Sequence, residues 1–373
     1  MSITKHPIFQ PLQRQELSLK NRLVIAPMSR VSAGADGSAT AEMAEYYAAF
    51  AKGGFSMVIT EGNYTDEAAS KGYPNQPGLT SPLHALAWKP VVDQVKSHGA
   101  LIIAQLMHAG ALSQYSDDTK APSAVQPVGV KMAQYGGTGG YPFPKAMSLD
   151  DIDIVKNGFV KAARFALQAG FDGVELHMAN GYLLDQFLTP ELNVREDLYG
   201  GSTSNRFRIA AEIIQSIREF VPPHFLVGIR LSEGKVNDLK YRWKEGEAMA
   251  VEVLEEVRKA APDFIHIAVQ SGEWERDSFY SSGTSYSALA KQITGKVVIA
   301  NGGMHQLTRA STAIEDAHAD LLAIGKAALA DPAWPLHTLN GAQARAFHPD
   351  MLWPEATIQH TNKIIKSQQL SIA

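Results

Sequence analysis

Short runs of β-branched and apolar residues alternate along this chain with longer stretches in which apolar side chains recur at three- and four-residue steps. The first pattern suits parallel strands buried on both faces, and the second suits amphipathic helices laid across them. Eight runs stand out, at 23–26, 57–60, 101–105, 173–177, 226–230, 264–268, 297–301 and 321–324. The clearest helical stretch covers 150–170, where Ile152, Val155, Phe159, Ala162, Phe165, Ala166 and Ala169 share one face and Gly170 supplies a C-terminal stop. Helical spacing also predicts 42–52, 83–97, 205–220, 245–260, 287–293, 308–317 and 332–339. Strands that are each followed by a helix predict an α/β fold, a closed (β/α)8 TIM barrel in preference to an open doubly wound sheet.

One connection breaks the rhythm. An excursion after the third strand, about 111–149, carries the Gly/Pro-rich segment 135–144. Such a segment on the C-terminal face predicts a lid or binding loop, with a plain surface elaboration as the alternative. No repeat, charged block or linker marks a second domain, so we expect residues 1–373 to form a single domain with a C-terminal tail from about 341 to 373.

Composition narrows the chemistry. The chain has 373 residues, a net charge of -4 and no cysteine. A disulfide framework, a cysteine nucleophile, a thiolate zinc site and a cysteine-ligated iron–sulfur cluster are therefore excluded. Interspersed charges leave no footprint for nucleic acid or an anionic membrane, so the expected partner is a small molecule, bound by a monomer or homo-oligomer. Without an apolar leader in the first ten residues or a run near the ~18 apolar residues of a membrane span, we expect a cytoplasmic location. The glycosylation sequon Asn63-Tyr64-Thr65 carries little weight in that setting.

A barrel builds its active site at the C-terminal ends of its strands. There stand Pro27-Met28-Ser29-Arg30, Glu61-Gly62, Gln105 with His108, His177 through Tyr182, Arg230, Gly302-Gly303 and Gly325-Lys326. Glycines after the last two strands let backbone N–H groups approach a phosphate, and Lys326 adds a positive charge. His177 and Asn180 are spaced so that one tight turn can aim both at a common oxygen, while Tyr182 can deliver a proton to a neighbouring carbon. No metal is needed. Arg230 and Gln105 end apolar strands and suit a planar heterocycle; pairing of Arg230 with Glu175 or Glu61 is the structural alternative, and spacing leaves it open.

Several strings carry a resemblance. Ala26-Pro27-Met28-Ser29-Arg30, Gln105-Leu106-Met107-His108-Ala109-Gly110, His177-Met178-Ala179-Asn180-Gly181-Tyr182 and Gly325-Lys326-Ala327-Ala328-Leu329-Ala330-Asp331-Pro332 resemble motifs of the Old Yellow Enzyme family of FMN-dependent ene-reductases. So do 186–190 and 195–202 with Asn205-Arg206, and the likeness runs in order from about Pro11 to Asn340. It implies a (β/α)8 barrel holding FMN non-covalently, reduced by NADH or NADPH and reoxidised by an electron-poor alkene such as an α,β-unsaturated carbonyl or nitroalkene, with nitro compounds as further candidates. On that template His177 and Asn180 would bind the substrate's oxygen and Tyr182 would protonate the α-carbon. Arg230 would face flavin N1 and O2, Gln105 the pyrimidine edge and Ser29 the O4 and N5 side. Pro27, Met28 and Gly62 would line the ring, and Gly302, Gly303, Gly325 and Lys326 would cradle the phosphate.

This chain departs from the family at four positions. Lys326 stands where arginine is common, Met107 where several members carry an aromatic residue, Ala111 where a larger residue is frequent, and Ser29 where threonine or cysteine is usual. The missing cysteines and the chain's length lead us to expect neither the iron–sulfur cluster nor the second dinucleotide domain of larger members. A rival reading is a phosphate-binding barrel lyase or isomerase without flavin. The absence of a lysine from the ends of the central strands counts against its Schiff-base form, and a flavin-storing protein without turnover is a third class.

Overall fold

A computed structural model of the protein describes residues 3–14, 17–269 and 271–370; the extreme ends of the expected 1–373 unit lie outside the described residues. All eight expected strands form: β1 (Leu23–Ile25), β2 (Met57–Ile59), β3 (Leu101–Met107), β4 (Gly173–Asn180), β5 (Leu226–Lys235), β6 (Phe264–Ile267), β7 (Val297–Ala300) and β8 (Leu321–Ile324). Each pairs in parallel with the next, and β8 pairs with β1 through Ala323↔Val24, which closes the barrel.

The helices α1 (Ala41–Lys52), α2 (Pro82–Ser97), α3 (Leu149–Ala169), α4 (Thr203–Arg218), α5 (Glu247–Ala260), α6 (Tyr286–Thr294) and α7 (Leu307–Glu315) follow β1 to β7, while Lys326–Ala330 and Trp334–Leu339 together follow β8. Local chemistry sets their starts. Thr40, Ser81, Ser148, Ser202 and Ser285 each accept a hydrogen bond from a first-turn N–H, and Ser148 forms a reciprocal capping box with Asp151. Gly170 ends α3 at φ 89°, a conformation that favours glycine.

Alternation along the strands separates two cores. Leu23 and Ile25 face the helices, whereas Val24, Met57, Ile59, Ile103, Phe264, Ile299 and Ala323 fill the barrel. Gly228 makes room inside for the Phe264 ring, which would lie 2.1 Å from an added Cβ. An antiparallel hairpin, Leu12–Arg14 against Leu17–Leu19, packs its leucines on this inner core. The excursion is partly ordered by Lys120–Ala121 pairing with Lys145–Ala146. No helix among the described residues is long and apolar enough to cross a membrane.

Three strands run further than the apolar runs indicate, β3 among them, which continues to Met107. β4 continues to Asn180 and β5 to Lys235, with an irregularity between Leu231 and Lys235. A lysine therefore does end a central strand, contrary to the sequence expectation. Its ammonium is held 2.8 Å and 2.9 Å from the two carboxylate oxygens of buried Asp185, which occupies it as an ion pair.

Candidate active site

Above the apolar layers the inward-facing positions turn polar. Gln105, Glu175, His177, Arg230 and His266 stand one or more two-residue steps beyond apolar or glycine positions of β3 to β6. Fully buried Glu175 accepts from Gln105 Nε2 at 2.7 Å and pairs with His266 Nδ1 at 2.9 Å. His266 was not singled out from the sequence, although its two-residue step from Phe264 signals an inward side chain.

Arg230 has neither of the partners considered for it. Both Glu175 oxygens are engaged as described, and Glu61 accepts from the Arg30 backbone N–H at 2.8 Å and the Tyr47 hydroxyl at 3.2 Å. Arg230 is 3% exposed and its Nε is buried without an acceptor. Burial pushes its pKa down and the nearby Glu175 opposes that shift. A buried guanidinium in this condition is costly unless a ligand completes its hydrogen bonds.

The end of β4 is a braced turn. Asn180 and Gly181 both have positive φ, 66° and 87°, in the region that glycine and, less readily, asparagine adopt. The Asn180 N–H donates to Ser232 Oγ at 2.8 Å, and the Asn180 carbonyl accepts from Val236 N at 3.0 Å. Asp185 accepts from Gly181 N at 2.6 Å while holding Lys235. The brace brings Asn180 Nδ2 within 3.5 Å of His177 Nε2 and leaves His177 Nδ1 and Asn180 Oδ1 without protein partners. Burial, helped by Arg230 and His266, holds the His177 pKa well below the ordinary histidine range, so the ring is neutral. The Tyr182 ring centre lies 5.0 Å from that of His177. Burial raises the Tyr182 pKa above the usual phenol value and keeps it protonated.

The Tyr182 hydroxyl is hydrogen-bonded to the hydroxyl of Tyr73, a residue of the loop after β2 that sequence reasoning missed. No motif surrounds Tyr73 to mark it. Its ring packs against Tyr135 of the excursion, with centres 5.1 Å apart.

Opposite this turn, Gly302 and Gly303 adopt φ of 112° and 77° after β7, and Gly325 precedes the short helix after β8. Positive φ at two consecutive positions bares backbone N–H groups without side chains in the way. Lys326 is exposed, with its ammonium 5.5 Å from the Phe347 ring centre in the tail. Pro27, Met28 and Ser29 follow β1, and Arg30 ties that loop to the tail through Thr357 O at 2.7 Å and a bond to Thr361 Oγ1. Gly62 yields space to Met107, whose Sδ would lie 2.6 Å from an added Cβ.

All the expected catalytic and cofactor residues border one cavity of about 560 Å³. They are Tyr182, His177 and Asn180 together with Pro27, Met28, Ser29, Gly62, Gln105, Arg230, Gly302, Gly303, Gly325 and Lys326. Met132, Gln134 and Tyr135 of the excursion, Leu352 of the tail, Tyr73 and Met107 also line the cavity, and the Ala356 N–H donates to Gln134 O at 2.9 Å. His108 and Ala111 stand outside it. His108 is buried 3.5 Å from Asp66, with its pKa pushed down to about 4 by burial against the opposing Asp66 charge. Ala111 borders a separate cavity of about 320 Å³. Asn63 of the sequon is fully buried, its Nδ2 bonded to Thr60, Glu61 and Gln105.

A planar ring bearing carbonyls and a phosphate fits this wall, because it would supply acceptors to Arg230 at one end and an anion to the glycine turns at the other. The family profile described as NADH:flavin oxidoreductase / NADH oxidase, for oxidoreductases of FMN, matches residues 7–344. The 12-oxophytodienoate reductase 1 of Oryza sativa subsp. japonica is 30% identical over 330 residues, covering 88% of this chain and 85% of that protein. The solved Old Yellow Enzyme homologue from Zymomonas mobilis superposes with a TM-score of 0.83 at 27% identity, over 95% of this chain and 99% of that one. Morphinone reductase in complex with tetrahydroNAD gives 0.82 at 29% identity, over 95% and 96%. This chain belongs to the NADH:flavin oxidoreductase / NADH oxidase family, the Old Yellow Enzyme family, as an enzyme that binds FMN and is reduced by a nicotinamide nucleotide.

Proposed function

We propose that the protein is an ene-reductase for activated alkenes, α,β-unsaturated carbonyls and nitroalkenes among them, and that its whole length serves a single FMN-binding barrel. FMN supplies the hydride chemistry when bound. Arg230 and Gln105 hold its ring together with Ser29, Pro27, Met28 and Gly62, and Gly302, Gly303, Gly325 and Lys326 hold its phosphate. His177 and Asn180 donate hydrogen bonds to the carbonyl or nitro oxygen of the substrate, which draws charge from the β-carbon. Tyr182 then gives its proton to the α-carbon.

The observation that carries this reading is the pairing of a neutral His177 and a protonated Tyr182 over the cavity that also holds the unpaired Arg230. A neutral imidazole donates one N–H without attracting a counter-anion, and a buried phenol keeps its proton until a carbanion-like carbon takes it. Replacing Tyr182 by Phe tests the assignment. Stopped-flow should show alkene reduction slowed by about 100-fold or more, the scale of a lost general acid, with flavin reduction by NADH or NADPH unchanged. Equal slowing of both half-reactions would remove Tyr182 from the proton-donor role.

A further inference from the structure

We propose that Tyr73 is a positioning residue for proton delivery: its hydroxyl orients the Tyr182 phenol before transfer and hydrogen-bonds the Tyr182 phenolate afterwards. The inference rests on the reading of Tyr182 as the proton donor. Within that reading the balance is simple. The Tyr182 O–H bond breaks as the C–H bond at the α-carbon forms, its electron pair stays on the phenol oxygen, and water later returns a proton to that oxygen.

Geometry supports the role from three sides. Among the described residues the Tyr73 hydroxyl is the one hydrogen-bond partner of the Tyr182 hydroxyl, and the rings are 1% and 5% exposed respectively. A phenolate formed at so buried a position without a hydrogen-bond donor would carry a large desolvation penalty. Tyr73 is also held in place. Gln76 Oε1 accepts from Gly72 N at 2.6 Å and Tyr73 N at 3.3 Å, while Gln76 Nε2 donates to Gly62 O at 2.7 Å. The loop is thereby tied to the end of β2, and the Tyr135 ring packs against that of Tyr73. Burial raises the pKa of Tyr73 well above the ordinary phenol value, so it retains its proton beside an ionised neighbour. A donor fixed in advance stabilises developing charge without reorganising.

The test uses the FMN-loaded enzyme with Tyr73→Phe, Tyr182→Phe and the double variant, each reduced first and then mixed with an oxidant. One oxidant is 2-cyclohexenone, whose reduction needs a proton on carbon. The other is benzoquinone, whose protons go to oxygen and can come from water. Tyr73→Phe should slow cyclohexenone about 10- to 150-fold, the scale of one hydrogen bond to a charged oxygen, and leave benzoquinone and NAD(P)H rates within about two-fold. The double variant should be no slower with cyclohexenone than Tyr182→Phe alone. Equal slowing of both oxidants, or a further loss in the Tyr182→Phe background, would overturn the role of Tyr73 and leave Tyr182 as donor. An undiminished cyclohexenone rate in Tyr182→Phe would overturn both. Unchanged NAD(P)H rates also establish that each variant is folded and carries flavin.

Discussion

Arg230→Met separates two effects that usually run together. Arg230 is 3% exposed, its Nε lacks an acceptor, and both oxygens of the nearest carboxylate, Glu175, are bound to Gln105 and His266. In the cofactor-free protein the guanidinium is therefore a desolvated charge without a hydrogen-bonded counterion. Methionine fills a similar volume without that penalty, and replacing buried charges by apolar side chains is often neutral or stabilising by about 1–4 kcal/mol. The same exchange removes the donors that FMN would use. A charge-assisted hydrogen bond contributes about 1.5–3 kcal/mol, which corresponds to a loss of affinity of about 10- to 150-fold. Thermal melts of the cofactor-free protein should thus show Arg230→Met as stable as the parent or more so. Quenching of FMN fluorescence on titration should show the weaker binding. A cofactor-free variant that is strongly destabilised while retaining parental FMN affinity would refute the reasoning, because it would make Arg230 a structural residue whose partners lie within the protein.

Two further outcomes follow from the titrating groups. Glu61 is buried with its pKa raised from 4.5 to about 7, mainly by desolvation and against the lowering effect of the Arg30 backbone N–H. Because the folded value lies above the unfolded one, this contribution is complete below pH 4.5 and is lost as pH rises through about 7; the difference amounts to about 3 kcal/mol. Urea unfolding of the FMN-loaded protein should show Glu61→Gln gaining stability relative to the parent across that window, and a constant difference would contradict the burial argument. His177 titrates far below its ordinary range, so binding of a para-substituted phenol should show no step attributable to it between pH 6 and 8, as read by flavin absorbance. His177→Ala should weaken that phenol by about 10-fold or more, and an unchanged affinity would remove it from the oxygen-binding pair.

The chain's local pattern determined the barrel and much of its rim. Burial on both faces writes itself into runs such as Val297–Ala300, a helix face repeats every three or four residues, and Ser148 or Gly170 marks an end by its own chemistry. His177, Asn180 and Tyr182 were legible because they fall within a single strand end, where neighbours in sequence are neighbours in space. Pairing across the fold was not. Whether Arg230 faces a carboxylate depends on which side chains Glu175 meets from β3 and β6, and that is set by the register of strands far apart in the chain. Tyr73 meets Tyr182 across a separation of 109 residues, and Gln134 meets Ala356 from two segments without periodicity. Lys235 stood beyond the apolar run of β5 because the irregularity after Leu231 lets the strand continue through polar residues, and Asp185, in the short helix Leu183–Leu188, gives it a place. Periodicity records what each residue is buried against on average; the closed barrel decides which particular polar atoms meet, and with them where the proton and the oxygen of a substrate can go.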